Sequence, residues 1–82
     1  MDRLEPNARA RRIEVSYPAV LVLPDGYECQ VIVRDLSARG FRIEVADELF
    51  VGERVQLCMG KEQPVMGEIK WTRGSEAGGL FL

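Results

Sequence analysis

The chain has 82 residues, with 11 Lys and Arg against 13 Asp and Glu, no His, and a formal net charge of −2. That length allows one domain with a small core, and a hydrophobic fraction of 46% excludes wholesale disorder. The longest apolar run, Ala19 to Leu23, is far too short to span a bilayer. Residues 1–12 lack the apolar stretch of a signal peptide, so a cytoplasmic protein is predicted.

What is missing narrows the chemistry. Without His, the commonest general base and metal ligand is gone. Cys29 and Cys58 are far apart with no CxxC, so they read as small hydrophobes in a reducing compartment and imply no metal site. Ser16, Ser37 and Ser75 stand in no GxSxG and beside no evident base. The chain therefore reads as a binding or structural module without a cofactor, and not as an enzyme.

The periodicity is that of strands. Ile13, Val15 and Tyr17 alternate with Glu14 and Ser16 in a first half-buried strand. Pro18 interrupts it, which points to an edge position or a bulge. The apolar run to Leu23 leads into the turn Pro24-Asp25-Gly26. A second strand sets Cys29, Val31 and Val33 against Gln30, Ile32 and Arg34, and the pattern then breaks at Asp35–Gly40. In a third strand Phe41, Ile43 and Val45 face one way and Arg42 and Glu44 the other. Ala46–Gly52 is a connection in which Leu49 and Phe50 are expected to plug one end of the core. Val55, Leu57 and Met59 define a fourth strand, and residues 60–64 a hairpin loop. Val65, Gly67, Ile69 and Trp71 share the inward face of a fifth strand, which puts Trp71 in the core. A turn over residues 73–78 leads to a short last strand, Gly79–Leu82, whose apolar end needs burial by the core, a partner or a second copy.

No window shows sustained helical spacing. Six short strands joined by tight turns predict an all-β fold, a closed or nearly closed six-stranded antiparallel β-barrel over residues 13–82, because closure removes exposed edges. Residues 1–12 form a separate flexible arm that holds Arg3, Arg9, Arg11 and Arg12 against Asp2 and Glu5, net +2, whereas the remaining seventy residues are net −4.

Two segments carry chemistry. Arg9-Ala10-Arg11-Arg12 joins the arm to the first strand, and arginine suits phosphates and guanine because its planar fork donates parallel hydrogen bonds. The same residues also fit a merely solvated basic arm. Asp35-Leu36-Ser37-Ala38-Arg39-Gly40 reads either as an Asx-type turn closed by a left-handed Gly or as a small polar pocket. In the pocket reading a carboxylate and a hydroxyl receive guanine N–H groups or orient an arginine.

An arginine-rich arm before strand one, followed by DxSxxG between strands two and three, resembles the PilZ domain family, receptors for the bacterial second messenger cyclic di-GMP. The resemblance runs from about Arg9 to Leu82 and takes in the DLSxxGF stretch Asp35–Phe41, Gly52-Glu53-Arg54-Val55, Ile69-Lys70-Trp71 and the closing Gly78-Gly79-Leu80-Phe81. It implies that Asp35, Ser37 and Gly40 line a ligand site on the barrel face. The family's RxxxR is not matched as written, since the chain offers Arg9-x-x-Arg12 with Arg11 between. Two outcomes follow. Arg9, Arg11 and Arg12 bind cyclic di-GMP through a slipped register, the arm ordering over the ligand for a downstream protein partner. Alternatively, the domain no longer binds the nucleotide and serves as a protein-interaction module. Either form acts as a monomer or a homodimer. The acidic body and an aromatic content of 7% argue against a nucleic-acid groove.

Overall fold

The computed structural model describes residues 13–82, with side chains from Val15 onward. Arg9, Arg11 and Arg12, and with them the arm, lie outside the described residues. Six strands follow one another: β1 (Ile13–Val22), β2 (Glu28–Leu36), β3 (Gly40–Val45), β4 (Arg54–Cys58), β5 (Val65–Arg73) and β6 (Glu76–Phe81). They close into a barrel in the order β1-β2-β3-β6-β5-β4, every neighbouring pair antiparallel. The expected all-β barrel is therefore the observed one. Among the described residues no helix is long and apolar enough to cross a membrane.

The core is the set of inward residues that the alternation selects. Leu21, Val33, Ile43, Val55, Leu57 and Ile69 are almost wholly buried, joined by Cys29, Val31, Phe41, Val45 and Ala77. Phe41 and Phe81 pack with their rings tilted against each other, centroids 5.3 Å apart. Leu49 plugs the barrel as expected, but Phe50 does not; it is 58% exposed. The chain turns at Phe50, where its N–H donates to Glu53 Oε1 at 3.0 Å and its carbonyl accepts from the Glu53 N–H at 3.1 Å. Gly52, at a φ of +97°, completes that turn.

Closure is uneven. β1 pairs with β2 along its whole length but with β4 only through Val20, Leu21 and Val22. Among the described residues β1 before Val20 therefore has no strand on its second side, which is where Pro18 sits, and a ring without an N–H is tolerated there. The expected edge position holds, yet Pro18 does not end the strand; it pairs with Ile32 inside a continuous β1. The irregularity comes earlier, as a register shift between Glu14 and Tyr17. Tyr17 emerges from it 43% exposed, contrary to the simple alternation.

Two further register shifts decide what the outer wall displays. In β2 the shift between Val33 and Asp35 skips Arg34. Leu36 then turns towards the core, and Asp35 turns outward although strict alternation would send it inward with Val31 and Val33. In β5 the shift between Ile69 and Trp71 does the same. Trp71 leaves the inward set of Gly67 and Ile69 and stands half-buried on the outside, which corrects its expected place in the core. β6 also starts earlier than the sequence pattern suggests, at Glu76, because Gly74 (φ +60°) and Ser75 make a two-residue hairpin under the pair Arg73 and Glu76.

Candidate functional site

Asp35 belongs to β2 and not to the turn that follows it. Ser37 makes that turn. Its N–H donates to the Gly40 carbonyl at 2.9 Å, and its hydroxyl oxygen accepts from the N–H groups of Arg39 (3.2 Å) and Gly40 (3.1 Å). The hairpin is thus stapled by one serine side chain, and Ala38 and Arg39 are left at its tip. Gly40 is not left-handed, so the expected reason for glycine is corrected. A Cβ there would lie 2.3 Å from the Gly79 carbonyl oxygen; the position is glycine because β3 and β6 approach closely. The turn is tied to β6 from the other side, where the Phe81 N–H donates to the Arg39 carbonyl at 2.7 Å.

The registers line up one row across five strands. Glu14 pairs with Asp35, Asp35 with Arg42, Arg42 with Gly78 and Gly78 with Trp71. Paired residues in a sheet share a face, so a carboxylate, a guanidinium, a glycine and an indole stand side by side on the outer wall. Arg42 bridges two carboxylates, donating from Nε to Asp35 Oδ2 and from Nη1 to Glu76 Oε2 at 2.7 Å. Asp35 is the buried charged residue of the described chain, 7% exposed, and a buried carboxylate needs such a partner. Next in the row, Gly78 leaves room for the Trp71 indole to lie across the backbone; a Cβ there would meet Trp71 Nε1 at 2.2 Å. The Arg73 guanidinium sits over the indole ring at 5.7 Å from its centroid.

These groups enclose a cleft of about 170 Å³ lined by Asp35, Ser37, Arg39, Arg42, Trp71 and Leu80 together with backbone of Gly40 and Gly79. The structure therefore brings together Asp35, Ser37 and Gly40, the three residues the sequence singled out on the barrel. Arg9, Arg11 and Arg12 lie outside the described residues, yet the chain enters the barrel beside this cleft, since Ile13 pairs with Leu36 and Glu14 with Asp35. Sequence reading missed Arg42, Glu76 and Trp71. Nothing in the pattern marks Arg42 as more than a solvent-facing strand residue or Glu76 as more than part of a turn; only the register brings them to Asp35. Leu80 is 46% exposed beside the same cleft, so part of the apolar C-terminal end faces outward, whereas Phe81 packs on the core.

Elsewhere the polar chemistry is sparse. Among the described residues no group of His, Cys, Asp and Glu could hold a metal ion. Cys29 and Cys58 are both free. Burial, reinforced by a hydrogen bond to the Asp47 carboxylate, pushes the Cys29 thiol up to about 12, so it behaves as an inert core group.

A comparison with curated proteins finds no match. A family model describing the PilZ domain matches residues 6–81, which takes in the whole barrel and the hairpin that carries Asp35, Ser37 and Gly40. With that match over nearly its whole length and a closed six-stranded barrel beneath it, the chain belongs to the PilZ domain family.

Proposed function

We propose that this domain is a cyclic di-GMP receptor of the bacterial cytoplasm that performs no covalent chemistry and signals by closing residues 1–12 over a nucleotide on the barrel wall. PilZ domains are generally receptors for that messenger. The observation that carries the reading is the convergence of Asp35, Ser37 and Gly40 on one cleft with an aromatic wall, beside the point where the arginine-bearing segment joins β1. At about 170 Å³ the cleft falls below the roughly 300–1,000 Å³ of sites that enclose a whole ligand. It suits one base edge, and the rest of a dinucleotide requires cover from elsewhere in the chain.

Charge demands the same thing. Residues 13–82 are net −4, so a ligand with two phosphates is repelled by the barrel unless local cations intervene. Arg9, Arg11 and Arg12 supply them, neutralising phosphates and capping guanine faces, with Arg9 in the role of the first arginine of the family's RxxxR. Asp35 accepts from a guanine edge, and Ser37 keeps the hairpin in shape. The new surface formed by the closed arm is what a downstream partner reads.

The test is calorimetric titration of cyclic di-GMP into the chain, with Arg12→Ala and Asp35→Ala beside it and GTP as control. Saturable binding that GTP does not mimic is expected, weakened by about ten- to a hundredfold or more in each variant. The irregular spacing Arg9-x-x-Arg12 supports one rival, a protein-interaction module indifferent to the nucleotide. Absence of heat at high micromolar concentration, with a well-dispersed NMR spectrum, would establish that rival instead.

A further inference from the structure

Most of the cations in residues 13–82 are already engaged. Arg34 lies 3.6 Å from Glu44, Arg54 3.6 Å from Glu68 and Lys70 3.1 Å from Glu68. Arg42 donates to Asp35 and Glu76, and the Arg73 guanidinium sits over the Trp71 ring. Lys61 belongs to the connection between β4 and β5, which contributes nothing to the cleft. Arg39 is different. It lines the cleft, and among the described residues no carboxylate pairs with it.

We propose that Arg39 is a phosphate-contacting residue, a cation that the barrel itself supplies at the rim of the cleft in addition to the arginines of residues 1–12. This role rests on the receptor reading given above. The main chain of Arg39 is held on both sides: its N–H donates to Ser37 Oγ at 3.2 Å, and its carbonyl accepts from the Phe81 N–H at 2.7 Å. Binding therefore costs only the rotamer freedom of one side chain, less than at a residue whose backbone must be ordered as well. The side chain is exposed at the hairpin tip, and no ion pair among the described residues has to break before its fork turns to a phosphate. Residues 13–82 are net −4, so a ligand anion gains more from this unneutralised charge than a neutral base face does. The position suits a shared grip. The chain reaches the barrel where Ile13 pairs with Leu36, at the foot of the hairpin that carries Arg39. A phosphate over that end of the sheet meets Arg39 from the hairpin and an arginine of the preceding segment from β1.

Arg39→Gln and Arg39→Lys, titrated calorimetrically with cyclic di-GMP at several salt concentrations, test the contact. Both variants should melt with the wild type, because the side chain is exposed and the hairpin is held by main chain and Ser37. Arg39→Gln should bind about tenfold more weakly, the worth of a charge-assisted hydrogen bond. Its affinity should also depend less on salt, since one screened attraction has been removed. Arg39→Lys keeps the charge without the fork, so it should recover part of the affinity and the salt dependence of the wild type. Phosphorus NMR gives a separate readout: a resonance of the bound nucleotide should move between the wild type and Arg39→Lys. Wild-type affinity in Arg39→Gln would overturn the proposal. So would a loss that leaves the salt dependence unaltered, or one that accompanies a lowered melting temperature and is not recovered by lysine, either of which marks a structural role. If the wild type does not bind cyclic di-GMP, the receptor reading itself fails before any variant is compared, and this role falls with it.

Discussion

Gly40→Ala is the substitution that most directly tests how the DxSxxG hairpin is built. The added methyl would lie 2.3 Å from the Gly79 carbonyl oxygen and 3.2 Å from Leu80 Cδ2. Carbon and carbonyl oxygen ordinarily approach no closer than about 3.3 Å, so roughly 1 Å must open between β3 and β6. The obstacle is backbone, and it cannot recede freely. Gly40 pairs with Leu80 in the ladder, and the next N–H along, that of Phe81, is bonded to the Arg39 carbonyl at 2.7 Å. Overpacking of this kind costs about 1–3 kcal/mol, and loss of one strand-end hydrogen bond adds about 1 kcal/mol. At about 4–8 °C per kcal/mol for a domain of this size, the melting temperature should fall by about 8–32 °C. Thermal unfolding followed by circular dichroism measures it, with Gly26→Asn as the comparison. Gly26 has a φ of +92° and open space where a Cβ would go, so Asn, which tolerates the left-handed region, should stay within a few degrees of wild type. Gly40→Asn should be at least as damaging as Gly40→Ala, because the difficulty there is volume. A Gly40→Ala chain that melts with the wild type would refute the close approach of the two strands as the reason for that glycine.

Other parts of the structure make equally definite commitments. Gly78→Ala drives a methyl into the Trp71 indole, a side chain that can move, so the expected result is a modest loss of stability with a red-shifted emission of the sole tryptophan; unshifted emission would show that the indole does not lie on Gly78. Cyclic di-GMP should change the fluorescence of the same residue, because Trp71 lines the proposed cleft. Ile43→Ala empties a fully buried site and should cost about 2–5 kcal/mol in urea unfolding, a large share of what a small domain possesses. Cys29, raised from 9.0 to about 12, stays protonated when folded while the unfolded thiol ionises. Its contribution is complete below pH 9 and declines by about 1.4 kcal/mol per pH unit from there until the folded thiol titrates. Melting temperatures between pH 8 and 11 should therefore fall less steeply for Cys29→Val than for the wild type.

Most of the barrel is legible in the sequence because strand alternation is a direct imprint of burial. Cys29, Val31 and Val33, then Phe41, Ile43 and Val45, then Val55 and Leu57, all face inward as their spacing predicts. The turn residues also speak for themselves at Gly26, Gly52, Gly60 and Gly74, each at positive φ. What the alternation hides is the place where it is broken. A bulge consumes one residue without leaving a compositional mark, so Trp71 counts as inward by parity and Asp35 looks like the first residue of a turn. The pair Asp35 with Arg42 depends on the bulged register of one hairpin, and the pair Arg42 with Glu76 on register between strands far apart in sequence; alternation encodes neither. Phe50 illustrates a different limit: hydrophobicity alone does not distinguish it from Leu49, and the hydrogen-bonded turn with Glu53 decides which of the two enters the core.

The three register shifts among the described residues have one consequence in common. Each abuts the row that runs from Glu14 through Asp35, Arg42 and Gly78 to Trp71. The middle of so small a barrel is filled by its own side chains, Leu21, Ile43, Leu57 and Ile69 among them. The cleft beside Asp35 lies on the outer wall, which is convex and by default carries solvated charges. Bulges overcome this by re-aiming chosen residues outward without disturbing the core: Asp35 leaves the inward set while Leu36 takes up core contact, and Trp71 leaves it while Ile69 remains. Gly78 lowers that wall between Arg42 and Trp71, and the Ser37 hairpin raises its rim. A depression made in this way is shallow. It can grip the edge of one base but cannot enclose a dinucleotide, so the proposed receptor needs the arginine-bearing segment beside Ile13 as the other half of its site.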